Sequence, residues 1–305
     1  MQQRAGSILV GACVALLSRS AAAKEAPETD LWTVLGIGVT TYFSASMIHE
    51  GLGHEGACAI AGGNPNAFST GVAGCAGDLS AGGERIVAAG GAAANLVVAG
   101  GAFGALAIAP PSSGPEYYFL WLTGTVNLYQ TAGYLMVGPW FGVGDFGSGA
   151  FLKDLQPRLP WQIGLSTAGL AMTFGTLFLS NALAEPLLGG ERQTREDRQW
   201  TLTLWPYLVG ASLITASGAL SRLGPEVAIS AGAANFAGTL FLAYVPLFFS
   251  SDFFYPAVDD SPDRAMPMPR STPWLVAGAA SVILAMGVFG PGVGNFHQPH
   301  PLDPS

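Results

Sequence analysis

Long apolar segments dominate this sequence and restrict its fold to those that a lipid bilayer accepts. Seven segments of the 305-residue chain are apolar over roughly twice the length of a membrane β-strand. A bilayer offers no partners to backbone N–H and C=O groups, so segments of this length cross it as helices. We therefore expect an all-α, polytopic bundle of transmembrane helices. The predicted spans are 31–61, 86–109, 117–138, 161–184, 200–221, 226–249 and 273–290.

The composition supports a membrane protein and argues against a nucleic-acid-binding one. Only 10% of the residues are charged, whereas soluble domains carry about 25%, and the mean hydropathy is +0.41. The net charge of −8 is scattered, with no basic stripe that could follow a phosphate backbone. The expected partner is therefore the lipid bilayer. Three cysteines are too few and too dispersed to indicate a disulfide framework, and they are Cys13, Cys58 and Cys75.

The N-terminal segment 1–23 has two interpretations that the sequence leaves open. One Arg precedes a short apolar run, 8–17, which ends in small residues as in a secretory signal peptide. The rival is an uncleaved first membrane helix, although the run falls short of the roughly 20 residues that a span needs. Orientation is open too. The Lys and Arg bias of the loops makes the N-terminal side cytoplasmic, whereas a cleaved signal peptide makes it extracytoplasmic.

The rest of the chain divides into a membrane core over 31–150, further membrane helices over 151–290 and a Pro-rich tail over 291–305. The connection 62–83 differs from the others because it is rich in Gly, Ser, Asn and Ala yet nearly uncharged. Such a segment can dip into the bundle as a re-entrant loop where it lines protein or a wet cavity. The expected location is a bacterial-type cell (inner) membrane, which the protein crosses several times.

The strongest functional signal in the chain is the hexapeptide His49-Glu50-Gly51-Leu52-Gly53-His54. It lies inside the first predicted span, where one ionised residue costs roughly 2.5–3.5 kcal/mol at the centre of a membrane helix. Ionisable residues kept at such a cost mark functional sites by default. Two of the four histidines of the chain are here, with a Glu beside the first. This composition indicates a bound metal ion.

The spacing of the two histidines predicts a distorted helix. The zinc-protease motif His-Glu-x-x-His sets its ligands four residues apart on one helix face, whereas His49 and His54 are five apart. Five positions rotate roughly 140° around a regular α-helix, which would turn the two rings away from each other. A π-type turn with i→i+5 hydrogen bonds returns them to one face. Gly51 and Gly53 would permit that distortion.

Zinc, as Zn2+, is the metal that this ligand chemistry favours. Two neutral imidazoles leave one further protein ligand and one water to complete a tetrahedral site. We predict Asp145 as that third ligand, in the glycine-flanked loop after the third span, with Asp78 as the reserve and Cys58 as a remote alternative. Glu50 is the predicted general base, ahead of Glu55. The competing interpretation is a histidine pair hydrogen-bonded inside a polar bundle core.

Three further polar side chains fall within predicted spans, namely Asn95, Asn127 and Gln130. They could position an extended substrate or the reaction oxyanion, or they could form ordinary hydrogen bonds between helices. The sequence does not separate these two roles. Asn95 also ends one of two similar segments, 87–95 (VAAGGAAAN) and 227–235 (VAISAGAAN). Both segments are interpreted as helix-packing faces in preference to an internal repeat.

The order of these motifs resembles that of the site-2 protease family of intramembrane zinc metalloproteases. In that family a His-Glu-x-x-His helix is followed by a Gly-x-x-x-Asn helix and by an Asp in a glycine-bearing loop. The corresponding motifs here are HEGLGH, the run GGAAAN that ends at Asn95, and GVGDF around Asp145. The resemblance implies that His49, His54 and Asp145 are the metal ligands. It also implies that Glu50 is the catalytic base.

The resemblance covers about 31–150 and implies cleavage of transmembrane protein substrates within the bilayer, with an edge strand in 62–83. The longer histidine spacing is similar to HELLGH of the dipeptidyl peptidase III family, soluble zinc peptidases in which that spacing supports catalysis. We therefore expect a zinc-dependent intramembrane endopeptidase. Two alternatives belong to other classes: a metal-binding or transport protein that carries ions past the histidines, and a catalytically inactive membrane scaffold.

Overall fold

The structure of the protein is a computed structural model that describes residues 28–188, 192–224, 226–249 and 265–295. The predictions made for 1–23, and for the part of the Pro-rich tail beyond 295, lie outside these residues.

The described chain is mainly helical, which confirms the predicted all-α class. The α-helices in chain order are α1 (Leu31–Met47), α2 (Gly56–Ile60), α3 (Ala81–Ile108), α4 (Gly114–Phe141), α5 (Arg158–Leu188), α6 (Arg192–Gly218), α7 (Glu226–Gly232), α8 (Leu240–Phe249) and α9 (Thr272–Leu284). The π-helical segments are π1 (Ile48–Glu55), π2 (Ala233–Ala237) and π3 (Ala285–Phe289). The strands are β1 (Asn64–Phe68), β2 (Ala73–Ala76) and β3 (Val293–Gly294).

Within the described ranges, five helical stretches are long and apolar enough to cross a membrane. They are Leu31–Ile60, Ala81–Ile108, Arg158–Leu188, Val227–Val245 and Thr272–Phe289. The prediction of seven spans is therefore not supported. Helices do form over the other two predicted spans, 117–138 and 200–221, as α4 and α6. Both have a lower mean hydropathy than the five, because α4 includes Asn127 and Gln130 and α6 begins with a charged run.

Local sequence signals fix several helix ends. Asp30 precedes α1, and its Oδ1 accepts a hydrogen bond from the backbone N–H of Thr33 at 2.8 Å. Ser80 caps α3 in the same way, with Gly83 N donating to its Oγ at 3.1 Å. Each cap satisfies a backbone donor that the first turn of a helix leaves unpaired. α4 ends at Gly142, whose φ of 70° is left-handed and breaks the helix.

Helices α1 and α4 form the centre of the bundle. α4 packs against α1, α3 and α5, and α1 also packs against α6 and α9. Trp121 and Tyr118 of α4 are fully buried, and each polar tip has a partner: Trp121 Nε1 donates to Ser180 O and Tyr118 Oη donates to Leu202 O, both at 2.7 Å. These bonds let large aromatic side chains fill an interior without leaving an unsatisfied donor.

The outer surface of the bundle is apolar where the predicted spans face outward. Val97 and Ile108 of α3 are 76% and 86% exposed, and Ile60 at the end of α2 is 81% exposed. Soluble proteins rarely expose apolar side chains in extended patches, whereas a lipid-facing surface requires them. This surface agrees with a protein that resides in a membrane.

The segment 62–83 forms a β-hairpin whose tip is buried among the helices. β1 pairs with β2 in antiparallel fashion, and the tip residues Ser69 and Thr70 are almost fully buried. Ser46 of α1 donates its hydroxyl to Thr70 O at 2.6 Å, while Thr70 N donates to Phe289 O at 3.1 Å. The segment predicted to fold back among the helices therefore does so as a hairpin.

One strand of the hairpin, β2, is the edge strand that the resemblance implied, whereas β1 is not. β3, near the end of the described chain, pairs antiparallel with β1 at Ala67 and Phe68. The order of the small sheet is β2-β1-β3, so β1 is its middle strand. Within the described residues the free edges belong to β2 and β3.

A disulfide bond joins Cys58 of α2 to Cys75 of β2. The expectation that the cysteines form no disulfide framework is therefore incomplete, since one cross-link is present. Spacing along the sequence does not reveal that the hairpin returns Cys75 to the end of the first span. The bond also removes Cys58 from the candidate metal ligands, because its sulfur is already committed.

Candidate metal centre

Segment π1 places His49 and His54 on one face of the first span. The helix changes from α to π geometry at Ile48 and returns to α geometry after Glu55. The two Nε2 atoms are 3.2 Å apart, and the rings meet edge to face with their centroids 4.8 Å apart. The π-type turn that the five-residue spacing predicted is confirmed. It brings two imidazole nitrogens to one point that a regular α-helix would separate.

The glycines of the hexapeptide both lie in the π-type turn, and one of them has a contact that was not predicted. Gly51 and Gly53 keep helical backbone conformations within π1 and have no positive φ angle. A Cβ on Gly53 would lie 2.5 Å from Gly91 Cα of α3, and a Cβ on Gly91 would lie 2.5 Å from His49 Nε2. Gly53 and Gly91 therefore let α3 lie directly against the histidine rings. Gly51 makes only an ordinary contact with the Phe68 ring.

Asp145 reaches the histidines from the loop between α4 and α5. Its Oδ2 lies 3.1 Å from His49 Nε2, and its Oδ1 lies 3.2 Å from His54 Nε2. Gly142 and Gly144 have φ angles of 70° and 63°, a left-handed conformation that favours glycine. The two glycines of the GVGDF motif thus turn the chain back so that the carboxylate points into the bundle. The structure brings together the three residues predicted as metal ligands.

The three side chains form a donor triangle whose corners are His49 Nε2, His54 Nε2 and the carboxylate of Asp145. The two nitrogens are 3.2 Å apart, and they lie 3.1 and 3.2 Å from different oxygens of that carboxylate. Ligands at about 2.0–2.2 Å in a tetrahedral site stand roughly 3.3–3.5 Å apart, so a slight separation of these side chains would admit one small metal ion. Two imidazoles and a carboxylate are also a donor set that divalent metals accept. His49, His54 and Asp145 could therefore hold a metal ion.

Surrounding groups orient the two imidazoles. His54 Nδ1 donates to the backbone carbonyl of Val87 in α3 at 2.7 Å, so Nε2 is the nitrogen directed at His49 and Asp145. His49 stacks on the ring of Tyr134, with centroids 5.0 Å apart and planes 12° apart. Its buried Nδ1 has no hydrogen-bond partner among the described residues. Packing therefore fixes His49, whereas a hydrogen bond fixes His54.

The carboxyl group of Asp145 is ionised in this setting. Burial alone would raise its pKa, but the nearby imidazoles of His54 and His49 outweigh that effect by charge and by hydrogen bonding. The pKa of Asp145 therefore lies well below its usual range. A deprotonated carboxylate is the form that coordinates a metal.

Glu50 lies beside the donor triangle and faces a cavity. The residue is buried and lines a small cavity with His49 and Tyr134. Glu55, the alternative general base, is only partly buried and does not line this cavity. The geometry therefore favours Glu50 as the acid–base group nearest the histidines, as predicted from its place beside the first of them.

The reserve ligand Asp78 does not join the centre. It is exposed in the loop before α3 and is absent from the group of side chains that could share a metal. A charged side chain in a loop directly after the hairpin stays in solvent, because burial is unfavourable without a buried group to pair with it.

The two asparagines predicted to position a substrate do not face the cavity. Asn95 donates its Nδ2 to Gln130 Oε1 at 3.3 Å, and Asn127 donates to Thr123 O within its own helix at 2.8 Å. Neither lines the cavity beside Glu50, which is lined instead by Gln130 and by Asn235. Helix positions alone did not reveal this, because the outcome depends on which faces of α3 and α4 are turned toward the cavity.

Two residues at the site escaped prediction from the sequence. Tyr134 is one helical turn after Gln130 on α4, so the spacing could have placed both on one face. Asn235 ends the segment that resembles the one ending at Asn95, and that likeness was the available signal.

Similarity to known proteins adds nothing to this geometry. No protein-family model, curated protein or solved structure matches the chain.

Proposed function

We propose that the protein is a zinc-dependent intramembrane endopeptidase. The supporting observation is the convergence of His49, His54 and Asp145, whose donor atoms are 3.1–3.2 Å apart, with Glu50 buried beside them. The two histidines and Glu50 belong to a helical stretch long and apolar enough to cross a membrane. Ionisable groups at such a position are costly unless they serve a function.

The side chains of the site would have separate roles in hydrolysis. His49, His54 and Asp145 would hold the zinc, which when bound supplies polarisation of a peptide carbonyl and acidification of water. Glu50 accepts the proton of the attacking water and delivers it to the departing amine. The carbonyl of Val87 holds the His54 ring in place through Nδ1, so that its Nε2 remains directed at the centre.

The proposed substrate is a membrane-spanning protein segment that becomes locally extended. In an intact α-helix each peptide carbonyl is engaged in a hydrogen bond and shielded by side chains, so it offers no approach to a nucleophile. The cavity beside Glu50 is small and is lined by the tip of the hairpin at Thr70. A single peptide carbonyl of an unwound segment could reach it, whereas a whole helix, with a diameter of about 10–12 Å, could not.

The proposal includes seven crossings of a bacterial-type cell (inner) membrane. α4 has 28 residues, which correspond to about 42 Å of helix and suffice to cross a bilayer. It packs among α1, α3 and α5, so its polar residues face protein and not lipid. α6, with 27 residues, packs against α1 and completes the count.

Metal analysis combined with a cleavage assay tests the proposal. The purified protein should contain about one zinc per chain and should cut a tagged reporter that carries a single apolar transmembrane segment. Glu50→Gln should retain zinc but stop cutting, because only the proton acceptor is lost. His54→Ala should lose zinc. The matched control is Glu55→Gln, which changes the neighbouring carboxyl outside the cavity and should keep both properties.

Three outcomes would contradict it. Zinc content unchanged in His54→Ala would remove the ligand assignment. Full cleavage by Glu50→Gln would remove the assigned base. A zinc-containing protein that cuts no reporter, while moving zinc across vesicles, would favour a metal transporter instead.

A further inference from the structure

The two similar segments of the sequence converge on a single side chain. Asn95 donates its Nδ2 to Gln130 Oε1 at 3.3 Å, and Gln130 donates its Nε2 to Asn235 Oδ1 at 2.9 Å. All three residues are buried. The asparagines that end 87–95 and 227–235 thus hold the carboxamide of Gln130 from its two sides.

Only two of these three hydrogen-bonded side chains face the cavity beside the metal centre. Gln130 and Asn235 line it together with His49 and Glu50, whereas Asn95 does not. Asn95 therefore acts behind the wall, where it engages the oxygen of Gln130. With that oxygen occupied, the amide nitrogen of Gln130 is the end directed toward Asn235.

Among the described residues, the hydrogen bonds of Gln130 and Asn235 do not use all of the N–H donors that these side chains bring to the cavity wall. A carboxamide NH2 group carries two N–H donors. Gln130 Nε2 uses one on Asn235, and Asn235 Nδ2 uses one on the carbonyl of Ala231 at 2.8 Å. One N–H of each amide is then left for a ligand in the cavity, and a buried donor without an acceptor is costly.

The hydrogen-bond donors at the cavity wall indicate which class of ligand binds there. Both donors are uncharged, and they stand beside the carboxyl group of Glu50 in a site that already contains Asp145. An anion would have to give up its hydration in this buried site, whereas a neutral carbonyl oxygen accepts from both amides at a much smaller desolvation cost. A peptide backbone supplies such carbonyls in every residue.

We infer that Gln130 and Asn235 bind the backbone of the substrate by donating hydrogen bonds to a peptide carbonyl in the cavity. The inference rests on the proposed function and extends it to the second half of the chain, because Asn235 belongs to π2. In this arrangement α7 and π2 build one wall of the site, opposite the helix that carries Glu50.

Binding of a peptide that is not cut provides the test. The probe is a dansylated Leu-Ala-Leu peptide amide, titrated into the Glu50→Gln protein in detergent and followed by fluorescence anisotropy. Gln130→Leu and Asn235→Leu, each added to Glu50→Gln, should weaken binding about tenfold, since each loses one hydrogen bond to a carbonyl. The matched control, Asn127→Leu, removes an amide bonded within its own helix and should leave binding unchanged.

A second variant guards against a folding defect. Asn235→Asp keeps the side-chain shape and the oxygen that accepts from Gln130 but loses the N–H donors, including the one on Ala231 O, so it too should weaken binding, and thermal unfolding of each variant compared with that of the parent shows whether the fold is kept. The inference is overturned if the Glu50→Gln parent does not bind the peptide, if Asn235→Asp binds it as tightly as the parent, or if Asn127→Leu loses as much as Gln130→Leu. Zinc analysis of the same samples separates the two proposals. A parent without zinc refutes the proposed function. Gln130 and Asn235 variants that retain zinc and bind the peptide as tightly as the parent refute only the peptide-binding role of these two residues.

Discussion

Residues 87–95 of α3 and residues 227–235, which run through α7 into π2, have similar sequences and both end in an asparagine that bonds Gln130. Their contributions to the site nevertheless differ. The first segment carries Val87, whose carbonyl accepts from His54, and it lies close against the histidine rings. The second segment supplies no metal ligand and lines the cavity instead.

One methyl group accounts for much of this difference. In the aligned segments Gly91 corresponds to Ala231. The glycine leaves room for the imidazoles, since a Cβ there would lie 2.5 Å from His49 Nε2 and 2.7 Å from His54 Nε2. The alanine has no such neighbour to accommodate and is buried at the cavity wall. Similar runs of small residues therefore produce packing faces in general, while single positions decide what packs there.

Exchanging these two residues should have the largest effect. Gly91→Ala should weaken zinc binding by about 100-fold, because the new methyl displaces both rings from the donor triangle. The reciprocal Ala231→Gly should retain zinc and cost only about 0.5–1 kcal/mol of stability through the flexibility of glycine. Competition with a chromogenic chelator measures the first effect, and thermal unfolding measures the second. Equal zinc affinity in the two variants would contradict the role assigned to Gly91.

The disulfide should have the next largest effect, because it secures only the side of the site that carries the histidines. Cys58 and Cys75 are 17 residues apart, and closing a loop of that size contributes about 3 kcal/mol. The double variant Cys58→Ser, Cys75→Ser should lose about that much in the free energy of unfolding, measured by denaturant titration in detergent. Wild-type protein with and without reductant serves as the control. Identical unfolding of the oxidised and reduced forms would show that the bond contributes nothing.

Removing the first asparagine should have a smaller effect. Asn95→Leu takes away the donor to Gln130 Oε1 and leaves a buried oxygen unsatisfied, which costs about 1–3 kcal/mol. Zinc should remain bound, because Asn95 touches none of the three ligands. Denaturant unfolding and zinc analysis of the same sample provide the measurement. A loss of zinc without a loss of stability would place Asn95 nearer the metal than the structure does.

The smallest effect is expected at a glycine of α3 that faces open space. A Cβ on Gly100 would meet no atom within 4 Å. Gly100→Ala should therefore stabilise the protein by about 0.5–1 kcal/mol, as alanine does in the middle of a helix. Thermal unfolding compared with that of Gly91→Ala tests whether the need for glycine in this helix is confined to the face that packs against π1 and α2. A destabilised Gly100→Ala would contradict that confinement.

The metal centre was largely predictable because its information is local. The five-residue spacing of His49 and His54 predicted the π-type turn, and the glycines around Asp145 predicted a loop able to turn inward. Both statements follow from backbone geometry within a few residues. The close contact of Gly53 with α3 was not predicted, since it depends on a separate helix.

Features that depend on distant partners were not predictable. Asn235 meets Gln130 across 105 positions of the chain, and no periodicity within either helix reports that contact. The same holds for the bond between Cys58 and Cys75, which depends on the hairpin folding back. The apolar pattern also overestimated the number of spans recognisable by composition, because α4 is surrounded by protein and can carry polar residues that a lipid-facing helix excludes.

X-ray absorption at the zinc edge of the purified protein reads the ligand shell itself. We predict nitrogen and oxygen ligands only, at about 2.0–2.2 Å, with scattering from two imidazole rings. In His54→Ala the spectrum of any zinc that remains should lose one ring. A sulfur ligand at about 2.3 Å, or a protein that binds no zinc at all, would contradict a centre built from His49, His54 and Asp145.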